Sequence, residues 1–167
     1  MTTGKQSGEK EDGLLDPLAV FQDEHRAALE ILEGLEKAAA ALEEGKAVPE
    51  SIAIVKEAHA FLTTEVRRHN EDEEQVLFDL LGEEAPCEFF AEEHRTLRKL
   101  EAELERALNA GDPKGLVPRI ARGIVELLRT HIEREDQVLF PMARSLLGEE
   151  GLTVAAMRLR RSREKPR

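Results

Sequence analysis

The chain has 167 residues and carries 35 acidic against 24 basic side chains, a formal net charge of -11. That length suits one domain with a substantial core, and the acidity disfavours sequence-independent nucleic-acid binding, which needs clustered Lys and Arg against phosphate. Cys87 is the only cysteine, which excludes an intrachain disulfide or a thiolate-built cluster within one chain, so any metal site must rest on nitrogen and oxygen ligands.

Residues 1–13 read as a disordered polar tail without the apolar run of a signal sequence. Asp16-Pro17 marks a helix start, and the apolar series Leu18, Phe21, Ala28, Leu29 and Leu32 follows one face to about Glu44. Gly45 and Pro49 bracket a turn. A second helix is expected from about Pro49 to Leu81, closing at Gly82, and a third from about Pro86 to Ala110, closing at Gly111. The fourth starts between 113 and 117 and runs to Leu147 before Gly148, with Pro141 inside it as a source of distortion. Leu152 to Arg167 is either a short fifth helix or a solvated basic tail bearing Arg158, Arg160, Arg161 and Arg163. No segment alternates with period two, so strands are not expected.

The predicted architecture is therefore all-α: an up-down-up-down four-helix bundle over residues 14–150, built from two similar helical hairpins, with a short C-terminal helix over 151–167. No stretch approaches the roughly 20 apolar residues of a membrane helix. A cytoplasmic location and no membrane partner are the default expectations.

The two hairpins carry one phrase in duplicate. His69-Asn-Glu-Asp-Glu73-Glu-Gln-Val-Leu-Phe78 returns as His131-Ile-Glu-Arg-Glu135-Asp-Gln-Val-Leu-Phe140, and Asp23-Glu24-His25-Arg26 returns as Glu92-Glu93-His94-Arg95. On a helix, residues four apart share a face with Cβ atoms roughly 5–6 Å apart. His-x-x-x-Glu is thus metal-ligand spacing.

Depth agrees with face. His25 precedes Glu44 by nearly the same stretch that separates His69 from Pro49, so the first pair is level. His94 precedes Ala110 by about the stretch that carries His131 beyond its own helix start, so the second pair is level too. Across the middle turn, Glu73 is as far from Leu81 as His94 is from Pro86. His25, His69, Glu73, His94, His131 and Glu135 are expected in one layer. The apolar stripes around them are Leu62, Val66, Val76 and Leu80 about His69, and Ile120, Ile124, Leu128, Val138 and Met142 about His131. Glu71 and Glu133 repeat as faithfully, but two residues from a histidine they face solvent. His59 lies ten residues from His69, a rise of about 15 Å, and falls outside the layer. Cys87, about 10 Å along the axis from His94, reads as a small buried apolar residue.

Four imidazoles and two carboxylates exceed a closed tetrahedral zinc site. They suit two metals, each with two His, bridged by Glu73 and Glu135 and by an oxo or hydroxo group. The ligand types favour two iron ions, with manganese or zinc as alternatives. Ferritin-like bundles use Glu-x-x-His. Here the position three before each histidine holds Gln22, Lys56, Val66, Ala91 or Leu128.

On these motifs, residues 17–148 resemble the hemerythrin-like, HHE cation-binding family. The resemblance implies a four-helix bundle with a non-haem di-iron centre that binds, senses or reacts with a small ligand such as oxygen, peroxide or nitric oxide. It also admits a di-iron enzyme reducing peroxide or nitric oxide, or an iron donor for iron–sulfur repair, with a protein partner in a signalling role. Oxygen-carrying hemerythrins have a second histidine four residues after the one on the third helix, where this chain has Arg98. They place an Asp five residues after the last histidine, the spacing of Asp136, whereas the internal repeat selects Glu135.

Overall fold

The computed structural model describes residues 13–112 and 114–166, so the tail expected over 1–13 lies, except for Gly13, outside the described residues, as does Pro113. Helix α1 spans Pro17–Glu43, with Asp16 as its N-cap accepting from the Leu18 N–H at 3.1 Å. Helix α2 covers 48–81 and α3 covers Cys87–Asn109. Helix α4 covers 116–147, and α5 covers 149–164. Gly148, at φ 61° and ψ -169°, separates α4 from α5, a conformation glycine adopts without steric cost. Turns of a few residues join α1 through α4, so successive helices are antiparallel neighbours. The expected bundle is observed, and among the described residues there is no strand.

Two helices are not uniformly α. Wider π turns occupy Leu62–Val66 and Glu73–Phe78 in α2 and Glu135–Leu139 in α4. Two of them begin at the glutamate of the duplicated phrase. Their effect is visible in what is buried: His69, Glu73, Leu77 and Leu81, then His131, Glu135, Leu139 and Ala143, all at four-residue spacing. An ideal α-helix would drift about 40° at each such step. The wider turn takes up the drift and keeps the His–Glu pair and the apolar residues on one line. Pro141 lacks an N–H to close the preceding turn, yet the equivalent position in α2 is Asp79. Proline is therefore not the common cause of these turns.

Two apolar expectations are corrected. Val138, placed in the stripe about His131, is 50% exposed, although Leu139 and Phe140 beside it are buried. Its counterpart Val76 is 1% exposed, packed in a cluster that includes Leu152, Ala155 and Leu159 of α5. Leu29 also lies at the surface rather than on the buried face of α1.

Helix α5 corrects the solvated-tail reading. It buries Leu152, Ala155, Ala156 and Leu159, and it runs antiparallel to α2, with Arg158 on Asp79 at 2.6 Å and Arg163 on Asp72 at 3.0 Å. Arg160 and Arg161 do remain exposed.

The core is split into two clusters. One joins Leu32, Leu35, Val55, Leu104 and Ile124 toward the α1–α2 turn; the other joins Phe21, Leu77, Phe90, Phe140 and Leu152 at the opposite end. Between them lies a layer of buried polar side chains: His25, His69, Glu73, His94, His131 and Glu135. The two apolar blocks set the helix rotations that turn these six residues toward one another. No helix among the described residues is long and apolar enough to cross a membrane.

Candidate metal centre

The six residues form two overlapping groups, His25, His69, Glu73 and Glu135, then Glu73, His94, His131 and Glu135, with the candidate ligand atoms of each group within 4.8 Å of one another. Within the first, His25 Nε2 and His69 Nε2 are 3.0 Å apart; within the second, His94 Nε2 and His131 Nε2 are 3.2 Å apart. Both carboxylates span the pairs. Glu73 sets Oε1 at 3.2 Å from His69 Nε2 and Oε2 at 3.5 Å from His94 Nε2. Glu135 sets Oε1 at 3.0 Å from His131 Nε2 and Oε2 at 3.1 Å from His25 Nε2.

The outer face of each ring explains why the Nε2 atoms point inward. His69 Nδ1–H donates to Glu24, His94 Nδ1–H to Glu74, His131 Nδ1–H to Glu93 and His25 Nδ1–H to Asp136, all at 2.7–2.8 Å. Each carboxylate serves a histidine on the next helix, α1 to α2, α2 to α3, α3 to α4 and α4 back to α1. The ring of support closes around the bundle. A carboxylate can only accept, so Nδ1 carries the hydrogen and a neutral imidazole keeps its lone pair on Nε2.

Four phenylalanines fix the ring planes in the same duplicated way. Phe140 stacks on His25 and Phe78 on His94, with interplanar angles of 5° and 12°. Phe21 and Phe90 meet His69 and His131 edge-on, at 5.2 and 5.7 Å between centroids.

This arrangement tests whether a cation fits. The four oxygens of Glu73 and Glu135 are buried with no hydrogen-bond partner, and they face the four inward Nε2 atoms. A buried cluster of acceptors is costly unless something positive sits among them. In the metal-free protein that role falls to protons. Burial works against a charged His69, but the Glu73 charge and the contacts with Glu24 and Glu73 push it up to about 10. His131 is likewise depressed by burial and pushed up to about 10 by Glu135 and Glu93. Burial would raise Glu73, yet His69 and His94 hold it well below the usual carboxylate range. The donor set therefore fits divalent metal held by two imidazoles on each side and two shared carboxylates.

A cavity of about 100 Å³ reaches this layer between α1, α2 and α4, lined by His25, His69 and His131 and by the apolar side chains of Ala28, Val66 and Leu128. Glu65 and Arg68, paired at 2.7 Å, stand at its wall.

All six residues singled out from the sequence meet at the centre. His59 does not; its Nε2–H donates to the Glu101 carbonyl at 3.1 Å. Glu71 and Glu133 are exposed, and Cys87 is buried in the apolar cluster near Phe90. Arg98 is half-buried and lies 3.6 Å from Glu74, the carboxylate that holds His94. Asp136 lies one shell out, as the partner of His25 rather than a member of the inner six. The outer carboxylates and the phenylalanine collar escape the four-residue rule because each serves another helix. Their signal was the repeat itself: Glu before His25 and His94, an acid after Glu73 and Glu135, and Phe four residues before His25 and His94.

Residues 16–143 match the family described as hemerythrin HHE cation binding domain. No curated protein and no solved structure matches the chain.

Proposed function

The chain belongs to the hemerythrin HHE cation-binding family, and on that footing we propose that it holds two iron ions and uses them to bind, sense or react with a small ligand such as oxygen, peroxide or nitric oxide. His25 and His69 would hold one ion, His94 and His131 the other, and Glu73 and Glu135 would bridge them. The observation that carries this reading is the set of four donor-less carboxylate oxygens facing four inward Nε2 atoms. A ferrous pair supplies reducing electrons and exchangeable coordination positions.

The protein's own part is to orient, exclude and neutralise. Glu24, Glu74, Glu93 and Asp136 fix the imidazole tautomers and raise ring basicity, and the phenylalanine collar keeps bulk water from the histidines. The apolar cavity beside His25 and His69 admits a small uncharged ligand more readily than an ion.

Helix α3 contributes His94 to the inner six, and Arg98, four residues on, lies against Glu74. With one imidazole fewer than an oxygen carrier, the residues present would leave room for a small ligand beside the ions, and iron held there would supply redox chemistry rather than reversible oxygen carriage. The test is to load the protein with iron anaerobically, count metal per chain, add oxygen, and then lower the oxygen pressure while following the optical bands. Close to two ions per chain and no return of the ferrous spectrum without reductant are expected. Saturation at one ion would end the dinuclear reading, and full return over repeated cycles would identify an oxygen carrier.

A further inference from the structure

The outer carboxylates of the two half-sites are themselves held, but by different parts of the chain. In the second half Glu93 is paired by Arg134, three residues after His131 on the same helix. In the first half the position three after His69 is Asp72, which cannot play that part. Asp72 is 2% exposed and sits beneath α5, where it accepts from Ser162 Oγ at 2.8 Å and Arg163 Nε at 3.0 Å. From that seat the Arg163 guanidinium reaches Glu24 Oε1 at 2.5 Å, the carboxylate whose other oxygen holds His69.

We propose that Arg163 is a positioning residue for the half-site of His25 and His69: α5 docks on Asp72 and delivers to Glu24 the guanidinium that Arg134 delivers to Glu93. The proposal rests on the reading of the six inner residues as metal ligands. Its physical content is a relay. Arg163 neutralises and orients Glu24, Glu24 holds the Nδ1–H of His69, and Nε2 of that ring then presents its lone pair to the centre. Without Arg163, Asp72 is left buried beside Glu24 with no cation between two carboxylates, so Glu24 swings outward and His69 loses its fixed tautomer. The C-terminal helix is thereby part of the metal site, and it acts on one half only.

The experiment titrates ferrous ion anaerobically into the full-length apo protein, with a chromophoric chelator in competition. In Arg163→Ala one of the two binding steps should weaken about tenfold or more, the range for loss of an outer partner, with the other unchanged within about twofold. Arg161→Ala, an exposed neighbour, should leave both steps alone. Adding Asp72→Arg to Arg163→Ala rebuilds in the first half the arrangement of the second and should restore the lost step. Equal weakening of both steps, no change in either, or no rescue in a folded double variant would overturn the proposal. If Arg163→Ala does not fold, Arg163→Gln keeps most of the stem that packs against the helix and takes its place in the same titration.

Wild-type protein that takes up no ferrous ion would instead sink the metal-centre reading. The relay then stands or falls on the imidazole ¹⁵N resonances of the apo protein. Arg163→Ala should shift those of His69 and leave those of His131, whereas both or neither moving would refute it.

Discussion

The hairpin of α1 and α2 and the hairpin of α3 and α4 deliver the same inner residues, yet they are finished differently. The second draws the arginine for Glu93 from its own α4, as Arg134, although His94 is held by Glu74 of α2, and its Val138 is 50% exposed. The first is completed by α5, which covers Val76, seats on Asp72 and reaches Glu24. The lesson is that identity of the inner residues constrains only the layer where they meet. What lies one shell out can be supplied by any element that reaches it, and here the two halves have taken different routes.

The comparison can be tested first where the halves are expected to be equal, with the largest effect. His69→Ala and His131→Ala should each lose most of the bound metal, because each removes an imidazole from one pair and leaves buried carboxylate oxygens without a counter-charge. His59→Ala should keep its metal, since that ring serves the Glu101 carbonyl. Elemental analysis of the three purified variants checks this. A His59 variant as depleted as the other two would show that the layer has been drawn in the wrong place.

Removing the metal should produce the next largest effect, again shared by the halves. His69 and His131 sit at about 10 in the folded apo protein against an ordinary 6.5. The folded state then holds protons that the unfolded chain releases above 6.5. The stability they contribute is complete below 6.5 and is lost as the pH rises through about 10. Apo protein should therefore unfold at progressively lower urea concentration between those values. Metal replaces the protons, so the loaded protein should release acid on uptake and not show that decline. A flat apo profile across this range would mean that the inner cluster is not held by protons.

How far the sequence carries the reader divides along the same line. Apolar periodicity, Asp16-Pro17 and Gly82, Gly111 and Gly148 were enough for four helices and their order, and the depth count from the turns was enough to bring six residues from four helices into one layer. Those features are local, or follow from counting rise per residue. Val138 stands outside the buried line because burial at this position depends on the fifth helix: Val76 follows an equivalent wide turn yet is buried, in the cluster that includes Leu152, Ala155 and Leu159. The roles of Glu24, Glu74, Glu93 and Asp136 as outer partners are not legible in the sequence, because the histidines they hold lie across a helix interface, where contact depends on rotation and depth together. Arg163 reads only as one basic residue of a short helix or tail for the same reason: nothing local to it reports Asp72, 91 residues away along the chain.

A third comparison separates the halves by packing. Val76→Ala should cost about 2 kcal/mol, the order expected for truncating a fully buried Val and leaving a cavity. Val138→Ala, at the matching position, should stay within about 0.5 kcal/mol, as exposed sites do. Urea denaturation of the loaded protein measures both. Equal costs would mean that α5 does not lie over α2 in solution, and the asymmetry between the hairpins would fail with it.

The smallest effect concerns what sets α5 on the first hairpin rather than the second. Arg158 pairs with Asp79 at 2.6 Å, and the position matching Asp79 in α4 is Pro141, which offers no charge. The pair therefore favours one hairpin over the other. It is also well exposed on both sides, and such pairs contribute from nothing to about 1 kcal/mol because solvent screens them and two long side chains must be ordered. The larger share of docking should come from Leu152, Ala155 and Leu159, which are buried. A double-mutant cycle of Arg158→Ala and Asp79→Ala should give a coupling below about 1 kcal/mol that shrinks further in high salt. Coupling above about 2 kcal/mol, unchanged by salt, would assign the choice of hairpin to charge and leave the apolar face of α5 as filling; a coupling near zero would leave that choice to Leu152, Leu159 and the buried seat at Asp72.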